Sequence, residues 1–389
     1  MIRMQQTMRW YGVHDATSLI DIKQCGVTGI VTALHEVPIG EIWTVEAINE
    51  RKQIIEKVGL EWKVVESLPV HEDIKKRTGN FQLYIENYKQ SLYNLAQCGI
   101  EIVTYNFMPI LDWVRTHHDY KNNDGTKSLY FHKDAFVYFD VFLLKRPNAK
   151  ANYTPDQINK AVNYGKQLSR EEKRKLFKNV LLGLPGSDKN FTSKKVLQLL
   201  DEYQHIDDKA LRQNLVLFLR EVAPFAEKVG LKLAIHPDDP PYSILGLPRI
   251  VSTLEDLDFI FNEVPLKANG LCYCTGSLGA HPSNDLLEIL NKTASRVHFL
   301  HLRNVVKDKN GNFKESEHLY GDNQMPKIVE KIITIMQERQ ISIPMRPDHG
   351  FLHDVESRKK LYPGYSLIGR LKGLSELRGL EQGIIYKIK

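Results

Sequence analysis

Residues 297–303 read VHFLHLR, a short run in which side chains alternate in character and which ends in polar residues. Alternation with period two is typical of a β-strand, so we expect Phe299, His301 and Arg303 to share one face. Seven other short runs rich in apolar and β-branched residues end in the same way: residues 8–12 (MRWYG), 29–34 (GIVTAL), 62–67 (WKVVES), 102–107 (IVTYNF), 231–236 (LKLAIH), 270–276 (GLCYCTG) and 343–349 (IPMRPDH). The sequence therefore predicts eight strands.

Segments with helical periodicity separate most of these strands. The clearest are residues 45–58, 84–97, 214–229, 254–264 and 325–340. Strands that alternate with helices predict a parallel sheet covered by helices, and eight such units close into a (β/α)8 TIM barrel of the α/β class. An open doubly wound sheet is the alternative. It is disfavoured because no glycine-rich phosphate loop follows the first strand.

One connection is far longer than a βα unit requires. Between Phe107 and Leu231 lie 123 residues, whereas a βαβ unit needs only about 30. We expect a single TIM-barrel domain, residues 1–389, with a helical insertion after strand 4 at residues 113–200. Because that insertion leaves the carboxyl end of strand 4, it is either a cap over an active site or a peripheral decoration.

Metal-ligating residue types lie near the ends of the last four predicted strands. They are His236, Cys274, His301 and Asp348. Strand alternation lets all four point toward the barrel axis at a similar height. Two imidazoles, a thiolate and a carboxylate suit a divalent transition metal such as Mn, Fe, Co or Zn, whereas Mg rarely accepts a thiolate. Each residue alone is more often a core side chain, but the joint pattern predicts a metal site.

Other polar side chains near strand ends are candidates for substrate contacts or proton transfer. His349 follows Asp348 directly, and Tyr365 lies in the PGYS loop at residues 363–366. Tyr365 as a base would need a lowered pKa, and by residue type it is equally consistent with a packed loop aromatic. The candidate substrate-binding residues are Arg9, Tyr11, His71, Asn106, Arg303, His318 and Arg346, any of which is also consistent with a hydrogen-bonded residue at a strand end.

At these motifs the sequence resembles the mannonate dehydratases, lyases of bacterial hexuronate breakdown. The most specific blocks are residues 236–241 (HPDDPP), 244–253 (ILGLPRIVST) and 344–350 (PMRPDHG), and the GLPG motif at 183–186 adds to the likeness. Two positions differ from the common family pattern: Phe351 stands where a second histidine is usual, and residues 323–326 (NQMP) replace an acidic or aromatic segment.

The resemblance implies a TIM barrel of the xylose-isomerase-like group that converts D-mannonate to 2-dehydro-3-deoxy-D-gluconate and water. It also implies Mn(II) or Fe(II) as cofactor, with His236, Cys274, His301 and Asp348 as ligands. The family's acid/base pair falls on His349 and Tyr365, and the expected assembly is a homodimer.

The bulk composition fits this interpretation. A net charge of +6 is spread along the 389 residues, which fits an enzyme of an anionic metabolite at least as well as a nucleic-acid binder. Together with the resemblance, this leads us to expect a small-molecule sugar acid, and no nucleic acid, as partner. No apolar leader or membrane-spanning run is visible, and four cysteines suit a reducing compartment, which favours the cytoplasm. The rivals are a metal-dependent sugar isomerase or epimerase, another sugar-acid dehydratase, a DNA-repair barrel and a non-catalytic sugar-binding barrel.

Overall fold

A computed structural model describes residues 2–182 and 192–388. In this part of the chain, eight parallel strands close into a barrel in the order β1-β12-β9-β8-β7-β4-β3-β2. The barrel strands are β1 (Gln5–Arg9), β2 (Gly29–Thr32), β3 (Glu61–Glu66), β4 (Ile102–Tyr105), β7 (Lys232–Ile235), β8 (Asn269–Cys274), β9 (Val297–His301) and β12 (Pro344–Arg346). The predicted (β/α)8 barrel is confirmed. The GLPG motif lies outside the described residues.

Side chains inside the barrel come from alternate strand positions. The interior cluster consists of Val31, Val64, Ile102, Ala234, Cys272 and Phe299. Leu233, Ile235 and Leu300 instead belong to the larger cluster between strands and outer helices. The alternation therefore places Phe299 and His301 on one face, and their rings meet edge to face with centroids 4.8 Å apart.

The helices cover the outside of the barrel and form much of the insertion. They are α1 (Leu19–Gln24), α2 (Val45–Glu56), α3 (Glu72–Lys76), α4 (Phe81–Gln97), α5 (Lys133–Tyr138), α6 (Pro155–Gln167), α7 (Arg170–Val180), α8 (Ser193–Asp201), α9 (Asp208–Lys228), α10 (Leu254–Glu263), α11 (Thr275–Ala280), α12 (Leu286–Thr293), α13 (Met325–Arg339) and α14 (Leu367–Ile388). A π-helix spans Phe139–Leu144, and 3-10 turns span Ala149–Asn152, Ala294–Arg296 and Asp354–Glu356.

The five helices predicted from periodicity correspond to α2, α4, α9, α10 and α13. Side-chain caps explain several of their starts: Thr44, Asp207 and Thr253 each accept a hydrogen bond from a backbone N–H of the first turn. Within residues 2–182 and 192–388, no helix combines the length and the apolar character needed to cross a membrane.

The first strand begins earlier than its apolar run suggests. We predicted residues 8–12, but β1 spans Gln5–Arg9, because Gln5 and Gln6 pair with β12 and close the barrel. The chain then turns at Gly12, whose φ is +93°. A polar pair at the closure of a barrel carries no local strand signal, so the prediction was shifted by three residues.

The insertion is not helical throughout, and in this respect the prediction was wrong. It contains an antiparallel hairpin of β5 (His117–Lys121) and β6 (Lys127–Phe131). These strands form a second sheet with β10 (Asn304–Lys307) and β11 (Phe313–Ser316), in the order β10-β11-β6-β5. The aromatic run SLYF at residues 128–131 favours a strand because its side chains pack against β11, where Phe131 stacks on Phe313.

Candidate metal centre

A cavity of about 460 Å³ opens at the carboxyl end of the barrel strands. Polar side chains dominate its inner wall, next to the strand ends: Arg9, Glu66, Asn106, His236, Asp239, Arg303, Arg346, Asp348, His349 and Tyr365. Active sites of TIM barrels lie at this face. The cavity is therefore the candidate functional site.

Three potential metal ligands converge beneath this cavity. His236 follows β7, Cys274 ends β8 and His301 ends β9, and one donor atom from each lies within 4.8 Å of the other two. Pairing of β8 with β9 sets Cys274 directly opposite His301. His236 Nε2 and His301 Nδ1 are 3.2 Å apart, close to the separation expected for two nitrogens that each lie ~2.1 Å from one ion.

The other nitrogen of each imidazole faces an oxygen acceptor. His236 Nδ1 lies 2.7 Å from the carbonyl oxygen of Pro237, and His301 Nε2 lies 3.3 Å from the Glu66 carboxylate. Arg346 Nε donates to His301 Nε2 at 3.0 Å, and the two facing nitrogens, His236 Nε2 and His301 Nδ1, share one hydrogen bond. Loss of its proton leaves two lone pairs that face each other. Two such lone pairs repel, so a cation between them is favourable. This is the arrangement in which proteins present histidine to metals.

Asp348 lies at the edge of this cluster. Its carboxylate is 3.8 Å from Cys274 Sγ and 4.0 Å from His301 Nδ1. Arg346 Nη1 donates to Asp348 Oδ1 at 2.5 Å, and Arg303 Nε lies 3.3 Å from Oδ2. Burial alone would raise the pKa of Asp348, but the neighbouring cations, Arg346 first, hold it well below its usual range. The group is therefore a carboxylate beside the other three predicted ligands.

His349 and Tyr365 line the same cavity. Their rings meet edge to face with centroids 5.2 Å apart. His349 Nδ1 lies 3.1 Å from Glu315 Oε1 and 2.8 Å from Arg303 Nη1, so this side of the ring is held by the protein. Burial raises the pKa of Tyr365, although Arg346 opposes the shift. The phenol is therefore protonated at neutral pH.

Comparisons with known proteins decide the family. A family model described as D-mannonate dehydratase (UxuA) matches residues 4–389. A mannonate dehydratase of Marinomonas sp. is 49% identical over 389 residues, covering 98% of this chain and 99% of the relative. The chain belongs to the mannonate dehydratase family. The prediction of a mannonate dehydratase, and hence of a hydro-lyase, is confirmed at the level of the family.

Solved structures agree with the family assignment. The mannonate dehydratase from Streptococcus suis serotype 2 matches with a TM-score of 0.78 and 33% identity, covering 99% of this chain and 96% of that chain. A xylose isomerase-like TIM barrel protein from Mycobacterium smegmatis matches with a TM-score of 0.51 over 98% of each chain. At 16% identity the second match shows the fold alone.

The predicted substrate-binding residues divide into two groups in this family member. Arg9, His71, Asn106, Arg303 and Arg346 line the cavity. Tyr11 instead packs edge to face on Tyr365, with centroids 4.9 Å apart, and His318 Nε2 lies 2.6 Å from the carbonyl oxygen of Pro347. Both side chains are buried one layer behind the cavity wall.

Several charged groups of the site were missed by sequence reasoning. Glu66 accepts hydrogen bonds from Arg9 and Arg346. Asp239 and Glu315 sit among arginines: Arg303 Nη2 donates to Asp239 Oδ2 at 3.0 Å, and Arg303 Nη1 lies 3.3 Å from Glu315 Oε1. Two of these three have a local signal, since Glu66 ends a strand and Asp239 belongs to HPDDPP. Glu315 is brought to the site by the second sheet.

The insertion also reaches the cavity. Trp113 and, from α8 and the residue after it, Lys195, Leu199 and Glu202 line its outer part. Lys76 forms an ion pair with Glu202 and so joins the barrel to this segment. Trp113 and α8 therefore lie at the carboxyl face of the barrel.

Proposed function

We propose that this chain converts D-mannonate to 2-dehydro-3-deoxy-D-gluconate and water, with Mn(II) or Fe(II) held by His236, Cys274, His301 and Asp348. The observation that carries this proposal is the pair of imidazole nitrogens 3.2 Å apart beside a buried cysteine. A bound divalent cation would act as a Lewis acid on the substrate's carboxylate and an adjacent hydroxyl.

Charge balance supports an anionic substrate. Among the described residues of the inner cavity wall, Arg9, Arg303 and Arg346 are matched by Glu66, Asp239 and Asp348. A divalent cation with one thiolate ligand adds a single net positive charge to this balanced set. A carboxylate on the substrate would compensate the positive charge at the strand ends, which favours an acidic sugar.

The reaction requires two proton transfers. The C2–H bond breaks and its proton passes to a base, while the C3–O bond breaks and the departing oxygen takes a proton to leave as water. We assign the base to His349, whose Nδ1 is held by Arg303 and Glu315, which leaves Nε2 as the nitrogen available to substrate. We assign the acid to Tyr365, which is protonated at neutral pH because burial raises its pKa. The resulting enol then becomes the 2-keto acid.

The remaining predicted residues have two kinds of role in this proposal: some contact the substrate and others support residues that do. Arg9, His71, Asn106, Arg303 and Arg346 would bind the sugar acid directly, because they line the cavity. Tyr11 and His318 would act indirectly, without touching the substrate. Tyr11 would position Tyr365 by packing on its ring, and His318 would position Asp348 through its hydrogen bond to the carbonyl of the preceding residue, Pro347. We further propose that residues 113–200 form the cap of one domain that spans residues 1–389.

The cellular setting is proposed on the same basis. Membership of the mannonate dehydratase family favours a cytoplasmic enzyme that acts in hexuronate (glucuronate) catabolism and works as a homodimer. Its partner would be a small sugar acid, with no part for nucleic acid or membrane.

An assay of the purified protein tests the proposal. D-Mannonate and other aldonates are each incubated with Mn(II), with Fe(II) under anaerobic conditions, and with a chelator. We expect a keto-deoxy acid, lighter than D-mannonate by one water, in the metal-containing samples only. An isomer of unchanged mass would instead assign a sugar isomerase or epimerase, and turnover that survives the chelator would overturn the metal requirement.

A further inference from the structure

Asp112 differs from the other carboxylates on the cavity wall. Seven carboxylates of the described residues line the cavity, and six of them lie within 4.0 Å of a lysine, arginine or histidine nitrogen: Glu66, Glu72, Asp73, Glu202, Asp239 and Asp348. In the part of the chain that the structure describes, Asp112 has no such nitrogen within 4.0 Å. Its oxygens are therefore not held in an ion pair.

The Asp112 side chain needs hydrogen-bond donors when a substrate covers it. It is partly buried in the loop after β4. Burial raises the pKa of Asp112, although the charge of Lys75 and the Asn106 side chain oppose the shift. A bound substrate would displace the water that remains around this group, and a buried oxygen without a donor is costly. The substrate must therefore supply the donors, and the hydroxyls of a sugar acid are donors.

The two residues that flank Asp112 are both fixed by contacts with the rest of the protein. Arg249 Nη2 donates to the carbonyl oxygen of Leu111 at 2.8 Å. On the other side, Trp113 packs edge to face against His349, with ring centroids 6.0 Å apart. These contacts hold the loop and leave the Asp112 carboxylate out of the bonding. Asp112 is therefore placed one residue away from a contact of the proposed base.

The outer part of the cavity wall carries more negative than positive charge. Among the described residues it is lined by three lysines and four carboxylates: Lys75, Lys76, Lys195, Glu72, Asp73, Asp112 and Glu202. Burial lowers the pKa of His71, so this ring on the same wall is neutral at neutral pH. A negative group at the far end of a substrate would lie beside this excess and be repelled. Uncharged hydroxyls would not.

We propose that Asp112 is a specificity-determining residue that accepts hydrogen bonds from the hydroxyls at the far end of the sugar acid, those on C5 and C6. The proposal rests on the proposed function, in which the metal and the acid/base pair act on C1 to C3 and leave the far end to the outer wall. It deepens that function by assigning the substrate class. The site takes sugar acids whose far end carries free hydroxyls and disfavours those that carry a phosphate or a second carboxylate there.

The experiment compares the steady-state kinetics of wild type, Asp112→Ala and Glu202→Gln with D-mannonate and Mn(II). Asp112→Ala breaks no ion pair, so the fold should be kept, and KM should rise about 10- to 100-fold, as expected for lost hydrogen bonds to a charged group. Its kcat should stay within about threefold of wild type, because C5 and C6 take no part in the reaction. Glu202→Gln changes a paired carboxylate of the same wall and should keep KM within about twofold. Unchanged KM in Asp112→Ala, an equal rise in both variants, or a loss of kcat alone would overturn the proposal.

Altered substrates and a conservative variant test the same contact. With 6-deoxy-D-mannonate, which lacks one of the two hydroxyls, the rise in KM caused by Asp112→Ala should be smaller, and an equal rise would count against the proposal. Asp112→Asn keeps the size of the side chain and covers the case in which Asp112→Ala does not fold. Relative to D-mannonate it should accept 6-phospho-D-mannonate better than wild type does, and an unchanged preference would contradict the proposal.

Binding measurements separate this proposal from the proposed function. Wild-type protein that binds D-mannonate in calorimetry but does not dehydrate it would refute the proposed function alone, and the Kd values of the same variants then replace KM in the comparison. Wild-type protein that does not bind D-mannonate would refute both.

Discussion

Arg115 and Asp239 form a two-point ion pair that is closed to solvent. Arg115 Nη1 donates to Asp239 Oδ1 at 2.6 Å and Nη2 donates to Oδ2 at 2.9 Å, and both side chains are almost fully buried. Arg115 belongs to the insertion, whereas Asp239 follows β7 and also accepts from Arg303. The pair therefore ties the insertion to a cavity arginine.

Removal of Arg115 is expected to destabilise the protein strongly. Arg115→Gln leaves a buried carboxylate with one fewer cation, which should lower the free energy of unfolding by about 3 to 5 kcal/mol. Urea denaturation at neutral pH measures the change. Arg220→Gln is the control, since Arg220 pairs with Glu263 on the surface and its loss should cost less than about 1 kcal/mol. Equal losses of unfolding free energy in the two variants would show that the buried ion pair stabilises the protein no more than a surface pair does.

The barrel and the convergence of His236, Cys274 and His301 could be predicted because both depend on local periodicity. In residues 231–236 and 297–303, every second residue faces the barrel axis, so His236 and His301 follow from the strand pattern alone. Cys272 and Cys274 share one face of their strand, and Cys274 was preferred because it lies nearer the strand end. The structure places Cys272 in the barrel interior. The resemblance to a known family gave the chemistry that periodicity cannot give.

The ionic network around these three residues could not be predicted, because it depends on how the barrel closes. Arg346 reaches Glu66 across the barrel, 280 residues away in the sequence. No local pattern encodes that distance. The hairpin of the insertion did carry a signal, since NNDG at residues 122–125 joins two runs that contain β-forming residues and Gly125 has φ +87°. The high charge of the surrounding segment favoured a helical prediction instead of this hairpin.

Loss of the Cys274 thiolate is expected to remove the metal. Cys274→Ala deletes one of three converging donors, so Mn(II) content after dialysis and dehydratase activity should both fall at least tenfold while the fold is kept. Inductively coupled plasma mass spectrometry measures the metal, and circular dichroism measures the fold. Cys272→Ala is the matched control, two residues earlier on β8 and buried among apolar side chains. It should keep its metal, and a Cys274→Ala protein with full metal content and activity would refute the assignment.

Loss of the Tyr365 hydroxyl is expected to affect turnover and leave the metal in place. If Tyr365 donates the proton to the departing oxygen, Tyr365→Phe should lower kcat by about 10²- to 10⁴-fold with unchanged Mn(II) content. Steady-state kinetics with D-mannonate measures this change. The control is Tyr362→Phe, because the Tyr362 ring packs at a tilt against Tyr11, with centroids 4.3 Å apart, and is partly exposed. A normal kcat in Tyr365→Phe would exclude Tyr365 from the mechanism.

Two adjacent histidines of the hairpin predict how stability depends on pH. Burial is the main cause that lowers the pKa of both His117 and His118 to about 4. The neighbouring His132 lowers the pKa of His117 further, and Arg115 lowers that of His118. In the unfolded chain each ring titrates near ~6.5. Between these values the unfolded state binds more protons, so the stability contributed by neutral rings is complete above about pH 6.5 and is lost as pH falls toward 4.

The expected loss between pH 6.5 and pH 4 is about 2 kcal/mol per histidine, allowing for the partial exposure of both rings. It is measured from urea midpoints of wild type and of His117→Gln/His118→Gln at several pH values. The double variant should show a shallower fall in stability over this interval, because glutamine does not titrate. His205→Gln, a change of an exposed histidine, should follow the wild-type curve. Parallel curves for wild type and the double variant would show that the buried imidazoles do not control acid stability.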